Sequence, residues 1–420
     1  MSTAAATQIS YTDLYERWER GNWSATSIDF TQDVVDWQEG FGDLERRAAL
    51  WNYALFFWGE DAVADNLSPF IDAAPREEQK YFLATQQVDE ARHAIFFKRF
   101  MHEVAGLGTG DAASGLSAVE PHLTWGFKKT FEALDRVTAE LRRTPSRTQL
   151  AKAVTMYHVI VEASLAQPGQ HMIEAYLERS GLLPGFREGM HNIAQDEQRH
   201  IAFGVRLLHD LAQEDPDVPA AVAEMLREVI PVTTAVFVPP GWDRRYSEVF
   251  GFTIEEIFEE GIISLDAKLR AAGMPVESLP GPVPIPTDLA PAERAQRGIA
   301  LLQAGILGER NGGIHRTPEA MALLRDTLRR SLDTRGVPAG FVVEWAFTDA
   351  EPFHLRVDGG DTHAIEGRAA RADLRVRCSL QDWVDVMGGH LDARRLMLRG
   401  RLRPSGSVRG MLAARKLFAA

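Results

Sequence analysis

The sequence predicts a mainly α-helical protein, a bundle of long buried helices with extra helices around it, followed by a small C-terminal α+β unit. Three observations carry this. From Leu44 to about Leu269 apolar residues recur at helical spacing. Beyond a proline-rich stretch the pattern changes to alternation of apolar and polar residues, the period of half-buried strands. The charge balance also changes sign: residues 313–420 hold 18 Lys plus Arg against 13 Asp plus Glu, whereas residues 1–312 hold 28 against 46. A chain of 420 residues, 45% hydrophobic, is longer than one typical domain needs. Two domains are therefore expected, with a boundary between residues 312 and 313.

The helical region reads clearly in RAALWNYALFFWGEDAVADNL, QKYFLATQQVDEARHAIFFKRFMHEVAG and QLAKAVTMYHVIVEASL. These segments are apolar around much of their circumference, which marks helices inside a bundle rather than on a surface. Pro168-Gly169 lies within an otherwise helical run and predicts a break or kink, because proline removes a backbone hydrogen bond and clashes with the preceding turn. Closely spaced prolines over residues 274–291 exclude helix and read as a connector. The helical stretch AERAQRGIALLQAGILG is expected to close the first domain before Gly312-Gly313. The second domain opens with a helix (PEAMALLRDTLRRSLD), continues as strands in FVVEWAFTDAEPFHLRVDGG and DLRVRCSL, and closes with helices around QDWVDVMGG and VRGMLAARKLF.

Composition excludes several function classes. A formal net charge of −13 argues against a nucleic-acid partner, whose phosphates need clustered Lys and Arg. The start has no basic patch followed by an apolar run, and no later apolar stretch is long enough to span a bilayer, so the expectation is a cytoplasmic protein that does not cross a membrane. A single cysteine, Cys378, leaves no internal disulfide framework and no Cys-rich metal site. A bound metal must then be held by His and carboxylates.

Two Glu-x-x-His motifs meet that requirement: Glu90 with His93, and Glu197 with His200. Residues three apart share a helix face, so each motif aims one carboxylate and one imidazole at one point. Glu60 and Glu162 stand alone in apolar helical text, each preceding its motif by about one helical hairpin. A single Glu-x-x-His is common on solvated helices. The repeat, with a carboxylate in a strongly apolar helix before each copy, is the ligand pattern of ferritin-like di-iron and di-manganese bundles. Glu60, Glu90, His93, Glu162, Glu197 and His200 are thus the candidate ligands of two metal ions, a set suited to iron or manganese. Asp89 and Asp196 precede the motif glutamates. Asp196 reads equally as a partner orienting a ligand histidine and as a solvated charge, and for Asp89 the solvated charge is the favoured reading.

At these residues the sequence resembles the ribonucleotide reductase small subunit superfamily, and more closely the ligand-binding oxidases related to that subunit, over roughly residues 20–310. The oxidase resemblance implies a manganese/iron pair in preference to two irons, dioxygen as oxidant, a long-chain fatty acid bound near the metals, a homodimer, and a tyrosine–valine ether cross-link. Its positions, three residues after the first glutamate and five before the third, are Val63 and Tyr157 here. The reductase subunit is the rival: its radical tyrosine commonly lies one turn beyond the first motif histidine, where this sequence has Phe97. Trp23 resembles the tryptophan found near the metals in this superfamily, and a core tryptophan is the equal alternative.

Residues 317–420 resemble the sterol carrier protein type-two fold, in strand patterning, the Asp382-Trp383 pair, a Gly-Gly turn and an Arg-Gly-rich strand. That implies a module for apolar ligands, with a dimerisation or docking domain as the alternative. The arginines of RRLMLRGRLRP suit either anionic head groups or a solvated strand face, the latter favoured. The expected function is an oxygen-dependent di-metal oxidase or oxygenase acting on a hydrophobic ligand. The alternatives are a radical-generating subunit and a non-catalytic lipid- or metal-binding protein.

Overall fold

The computed structural model describes residues 9–282, 285–310, 312–335, 337–358 and 361–418, with the side chains of 414–416 left out. The first eight residues, read above for a targeting signal, and residues 283 and 284 of the connector lie outside the described residues. The protein forms two compact units: residues up to Val222 with Val236–Ser278, and Ala223–Ala235 with the residues from Leu279 onward.

The first unit is helical. Its main elements are α1 (Tyr11–Arg20), α2 (Asp43–Asn66), α3 (Glu77–Glu103), α4 (Trp125–Arg143), α5 (Arg147–Val154), a π-helical segment Thr155–Ala166, α6 (Gln167–Ser180), α7 (Pro184–Glu214), α8 (Val218–Thr233), which runs on into the second unit's residues, and α9 (Ile254–Ala271). Four of these, α2, α3, the π segment and α7, form the bundle that matters here. Their interior faces are dominated by aromatic side chains: Tyr53, Phe57, Phe96, Phe97, Phe100 and Phe186 are buried in one cluster.

Helix starts are fixed by short-range hydrogen bonds. The Glu45 carboxylate accepts from the Gly42 N–H at 2.6 Å and so closes the first turn of α2. At α7, Pro184 supplies a preset φ, and the buried Asp33 carboxylate accepts from the Gly185 and Phe186 N–H groups at 2.9 and 2.7 Å. Asp36 accepts from the Leu183 N–H at 2.8 Å and holds that leucine in a left-handed conformation, φ 50°.

Helical backbone runs without interruption from Arg147 to Ser180, so of the break or kink expected at Pro168-Gly169 the break does not occur. The winding changes there instead. The π segment ends at Ala166, and Pro168 is the second residue of the ordinary α-helical winding that follows. In a π-helix the hydrogen bonds run from i to i+5, which brings residues five apart onto one face. Tyr157 and Glu162 are five apart.

The second unit contains α10 (Pro291–Gln303), α11 (Pro318–Ser331), a five-stranded sheet, and α12 (Leu380–Met387), α13 (Ala393–Leu398) and α14 (Val408–Leu417). The strands are β1 (Phe341–Phe347), β2 (Phe353–Asp358), β3 (Asp361–Glu366), β4 (Leu374–Cys378) and β5 (Arg403–Gly406), in the order β3-β2-β1-β4-β5. β1 pairs antiparallel with β2 (Val343 opposite Leu355) and parallel with β4 (Trp345 opposite Val376). Trp345, Phe353 and Trp383 anchor a core that also takes in Leu324 and Leu328 of α11. Helix α10 does not close the first unit as expected. Leu301, Ala304 and Ile306 join the second unit's core, and Arg297 pairs with Asp326 at 2.9 Å. Prolines show where helix is excluded, but not which core the next helix will join.

Candidate metal centre

The six sequence-predicted ligands come from four helical segments: Glu60 from α2, Glu90 and His93 from α3, Glu162 from the π segment, Glu197 and His200 from α7. All six are buried. The structure brings them together as two groups of converging donor atoms, Glu60, Glu90, His93 and Glu197 in one, Glu90, Glu162 and His200 in the other. Glu90 belongs to both.

The imidazoles set the geometry. Nδ1 of His93 faces Glu60 at 3.2 Å, Glu90 Oε2 at 3.4 Å and Glu197 Oε1 at 3.5 Å. Nδ1 of His200 faces Glu90 Oε1 at 3.1 Å, Glu197 Oε2 at 3.6 Å and Glu162 at 3.7 Å. Glu90 and Glu197 therefore each turn one oxygen toward either histidine. The outer Nε2 atoms are taken by carboxylates of the opposite motif: His93 pairs with Asp196 and His200 with Asp89, both at 3.1 Å. Such an outer bond fixes the ring and leaves the inner nitrogen free to coordinate.

Asp89 is not a solvated charge, as was expected, but 1% exposed. It accepts from Trp18 Nε1 at 2.9 Å, Arg92 at 2.9 Å and Arg199 at 3.3 Å. Asp196 mirrors it, accepting from Trp23 Nε1 at 2.8 Å and bonding Arg199, with Arg92 3.6 Å away. Trp23 thus reaches the centre through Asp196, and also stacks on His93. Arg92, Arg199 and Trp18 escaped the sequence reading. Two of them carried a signal, since both motifs read Asp-Glu-x-Arg-His.

Electrostatics argue that the inner groups hold cations. Burial pushes Glu60 up to about 8, and burial reinforced by neighbouring carboxylates raises Glu162 and Glu197 as well. Burial also raises Glu90, but the two histidines outweigh it and hold this carboxyl well below its ordinary range. Burial acts to lower both histidines, yet the surrounding carboxylates win and raise them. Glu162 Oε2, Glu197 Oε2 and His200 Nδ1 are buried and make no hydrogen bond. Unbonded donor atoms packed this closely converge on a common point rather than on each other. Four carboxylates balance two divalent ions with the imidazoles neutral, while Asp89 and Asp196 are balanced by Arg92 and Arg199. The residues present fit a pair of metal ions.

Beside the donor groups lies a cavity of about 60 Å³ lined by Val63, Tyr157, Val161, Phe127, Phe131 and Phe237 together with the carboxylates of Glu60, Glu90, Glu162 and Glu197. Tyr157 and Val63 therefore border one space. The Tyr157 hydroxyl donates to Glu90 Oε1 at 2.5 Å and receives Gln86 Nε2 at 3.1 Å, while Gln86 also donates to Glu162 at 2.9 Å and pairs with His158 at 3.2 Å. Burial and the nearby carboxylates raise the Tyr157 pKa well above its ordinary value, so the phenol is protonated. Phe97, at the position of the reductase tyrosine, packs in the aromatic core against Phe56 and Phe186.

A helical bundle that gathers four carboxylates and two crossed histidines into paired donor groups defines the di-metal carboxylate class of proteins. Residues 7–236 match the ribonucleotide reductase small chain family, and the protein belongs to that family. Residues 330–419 match the SCP-2 sterol transfer family. Among solved structures the protein is similar to the R2-like ligand-binding oxidase from Sulfolobus acidocaldarius, at 25% identity and a TM-score of 0.54, covering 70% of this sequence and 98% of that one. It is also similar to a valine-to-leucine variant of an R2-like ligand-binding oxidase with an anaerobically reconstituted Mn/Fe cofactor, at 26% identity and a TM-score of 0.54, covering 64% and 95% of the two sequences. A glycine-to-phenylalanine variant with the same cofactor matches at 25% identity and a TM-score of 0.53, covering 64% and 96%. Among the described residues no helix is long and apolar enough to cross a membrane.

Proposed function

We propose that the protein is a dioxygen-dependent oxidase of a hydrophobic ligand, with Glu60, Glu90, His93, Glu162, Glu197 and His200 holding a manganese/iron pair. The observation that carries this reading is the placement of two donor groups, joined through Glu90, at the wall of an apolar cavity. Bound there, two redox-active metals supply the electrons that activate dioxygen. The protein's own part is to orient the ligands through Asp89 and Asp196, exclude water with Phe127, Phe131 and Phe237, and admit only an apolar substrate.

Among the described residues no Lys or Arg lines the cavity. An acidic headgroup, such as that of a fatty acid, is then balanced only by cations at the donor groups, so it would enter headgroup first. About 60 Å³ accommodates the headgroup and the first carbons of an acyl chain and not its whole length. The remainder extends past the phenylalanines.

Tyr157 and Val63 form the internal target in this reading. The Tyr157 O–H and one aliphatic C–H of the Val63 isopropyl group are replaced by one C–O bond, and the two protons and two electrons released pass to dioxygen. Glu90 Oε1, 2.5 Å from the phenol, is placed to accept its proton. Elemental analysis combined with peptide mass spectrometry tests the proposal. The expected result is two metals per protein molecule and, after aerobic loading, a joined peptide pair two hydrogens lighter than its parts. Tyr157→Phe should abolish the joined pair and leave the metals. A fully metallated, oxygen-exposed protein with separate peptides would sink the cross-link, and metal-free protein after loading would sink the oxidase.

A further inference from the structure

Gln86 is wholly buried on α3, one turn before Glu90, and is not one of the six candidate ligands. Its amide nonetheless meets four neighbouring side chains. Nε2 lies 2.9 Å from Glu162 Oε1, 3.1 Å from the Tyr157 hydroxyl and 3.5 Å from Glu90 Oε1, while Oε1 lies 3.2 Å from His158 Nε2. An amide set among oxygen acceptors has one tolerable orientation. Reversed, its carbonyl would face the carboxylates of Glu162 and Glu90, and its N–H groups would lose both Glu162 and Tyr157. His158 enforces the same choice. Burial and the neighbouring His200 hold this imidazole down at about 3, so it is neutral, and because a carbonyl only accepts, its one proton sits on Nε2.

The consequence falls on the phenol oxygen. A phenol has one proton to donate and two lone pairs. The proton points to Glu90 Oε1 and Gln86 Nε2 takes one lone pair, so the hydroxyl cannot turn. The ring is held separately, by an edge-on contact with Phe70. When the proton moves to Glu90, negative charge develops on the oxygen, and among the described residues no Lys or Arg lines the cavity beside it. An N–H already aimed there becomes a charge-assisted donor, about twice as strong as a neutral one, and needs no rearrangement to act. Among the described residues Gln86 is the one donor to this oxygen.

We propose that Gln86 is a catalytic residue of the step that joins Tyr157 to Val63, the donor that steadies the phenol oxygen as its proton leaves. This rests on the cross-link reading given above. In that step the phenol O–H and one Val63 C–H break and one C–O bond forms. The two protons, the first by way of Glu90, and the two electrons pass to dioxygen. Gln86 itself gains and loses nothing. It lets the oxygen carry charge before it bonds to carbon. His158 acts through Gln86 and is a positioning residue.

The test follows, by peptide mass spectrometry, the rate at which the joined pair appears once oxygen reaches the metal-loaded protein, with metal content measured alongside. Gln86→Met keeps the bulk of the side chain and removes both N–H donors. It should slow the pair about 100-fold, with two metals per molecule retained. Replacing Tyr157 by a difluorinated tyrosine, whose phenol parts with its proton more easily, should recover most of that loss. A packing role for Gln86 allows no such recovery. His158→Leu leaves the amide in place but unoriented, and should slow the step about threefold or more. Equal rates in wild type and both variants overturn the proposal and leave the cross-link standing, whereas a fully metallated wild type without the joined pair sinks the cross-link and this role with it. Loss of metal in Gln86→Met with a normal rate in His158→Leu would assign the amide to holding Glu162, and a slowed Gln86→Met that the fluorinated phenol does not rescue would assign it to packing; either result overturns the proposal.

Discussion

Alanine at Gly204 would probe the tightest approach of helices beside the metal centre. A Cβ there would lie 2.2 Å from His158 Cβ and 2.4 Å from its Cγ, where ordinary contact begins near 3.4 Å. The first of these is carried directly by the backbone of the π segment, so no side-chain rotation relieves it. Helix α7 and the π segment must part by about 1.2 Å. Overpacking of this depth belongs at the upper end of the usual range, about 3 kcal/mol. The better helix propensity of alanine returns about 1 kcal/mol, leaving a net loss of about 2 kcal/mol. For a unit of this size that lowers Tm by about 4–8 °C. His200 lies one turn from Gly204 and faces Glu162 across the same gap, at 3.7 Å, so metal content should fall together with Tm. Thermal denaturation of the apo protein and metal analysis of the loaded protein read the two effects. A raised Tm with two metals retained would show that the helices are not in contact there, since propensity alone would then be acting.

Three further outcomes are expected. Because the outer bonds cross between motifs, Asp89→Asn should weaken the metal held by His200 by about 10–100-fold; in a double-mutant cycle it should couple to His200→Ala and not to His93→Ala, and coupling to its own motif's histidine would refute the crossing. Asp33→Ala strips the buried cap from two N–H groups of α7 and should cost about 2–3 kcal/mol in chemical denaturation, so an unchanged midpoint would show the cap to be dispensable. Burial pushes the Cys378 thiol up to about 12, so at pH 8 it should react with a chromogenic thiol reagent only as the second unit opens; prompt stoichiometric reaction of native protein would contradict its buried position.

How much of this was readable beforehand follows from what repeats. Glu90, His93, Glu197 and His200 stood out because two copies of one spacing occurred in helical text, and Glu60 and Glu162 because a carboxylate in an apolar helix demands a partner. The Asp-Arg pairs repeated as well, yet their crossed bonding depends on α3 and α7 facing each other, a tertiary fact. Trp18 and Gln86 had no pattern at all. The π winding left no trace, because Thr155 to Ala163 is buried on every side and offers no period to read. In the second unit β1, β2 and β4 alternate, but β3 is exposed at all but one position and so looks like a loop. Helix α10 was recognised as a helix and given to the wrong unit, since its apolar face fits either core.

The π segment also determines which kind of sequence change its pairing can absorb. Wide winding is what a helix adopts when it holds more residues than ordinary turns can take. Wound as ordinary α-helix, five residues turn through about 500°, which would set Tyr157 and Glu162 about 140° apart. Removing a single residue between them would let the turns tighten and leave the two four apart, about 40° around an ordinary helix and so still on one face. The pairing of phenol and carboxylate therefore survives a shorter, plainly α-helical segment, and is lost when the five-residue spacing is kept without the wide winding. Comparisons of relatives that align the ligands by a fixed spacing would misplace the tyrosine by one position.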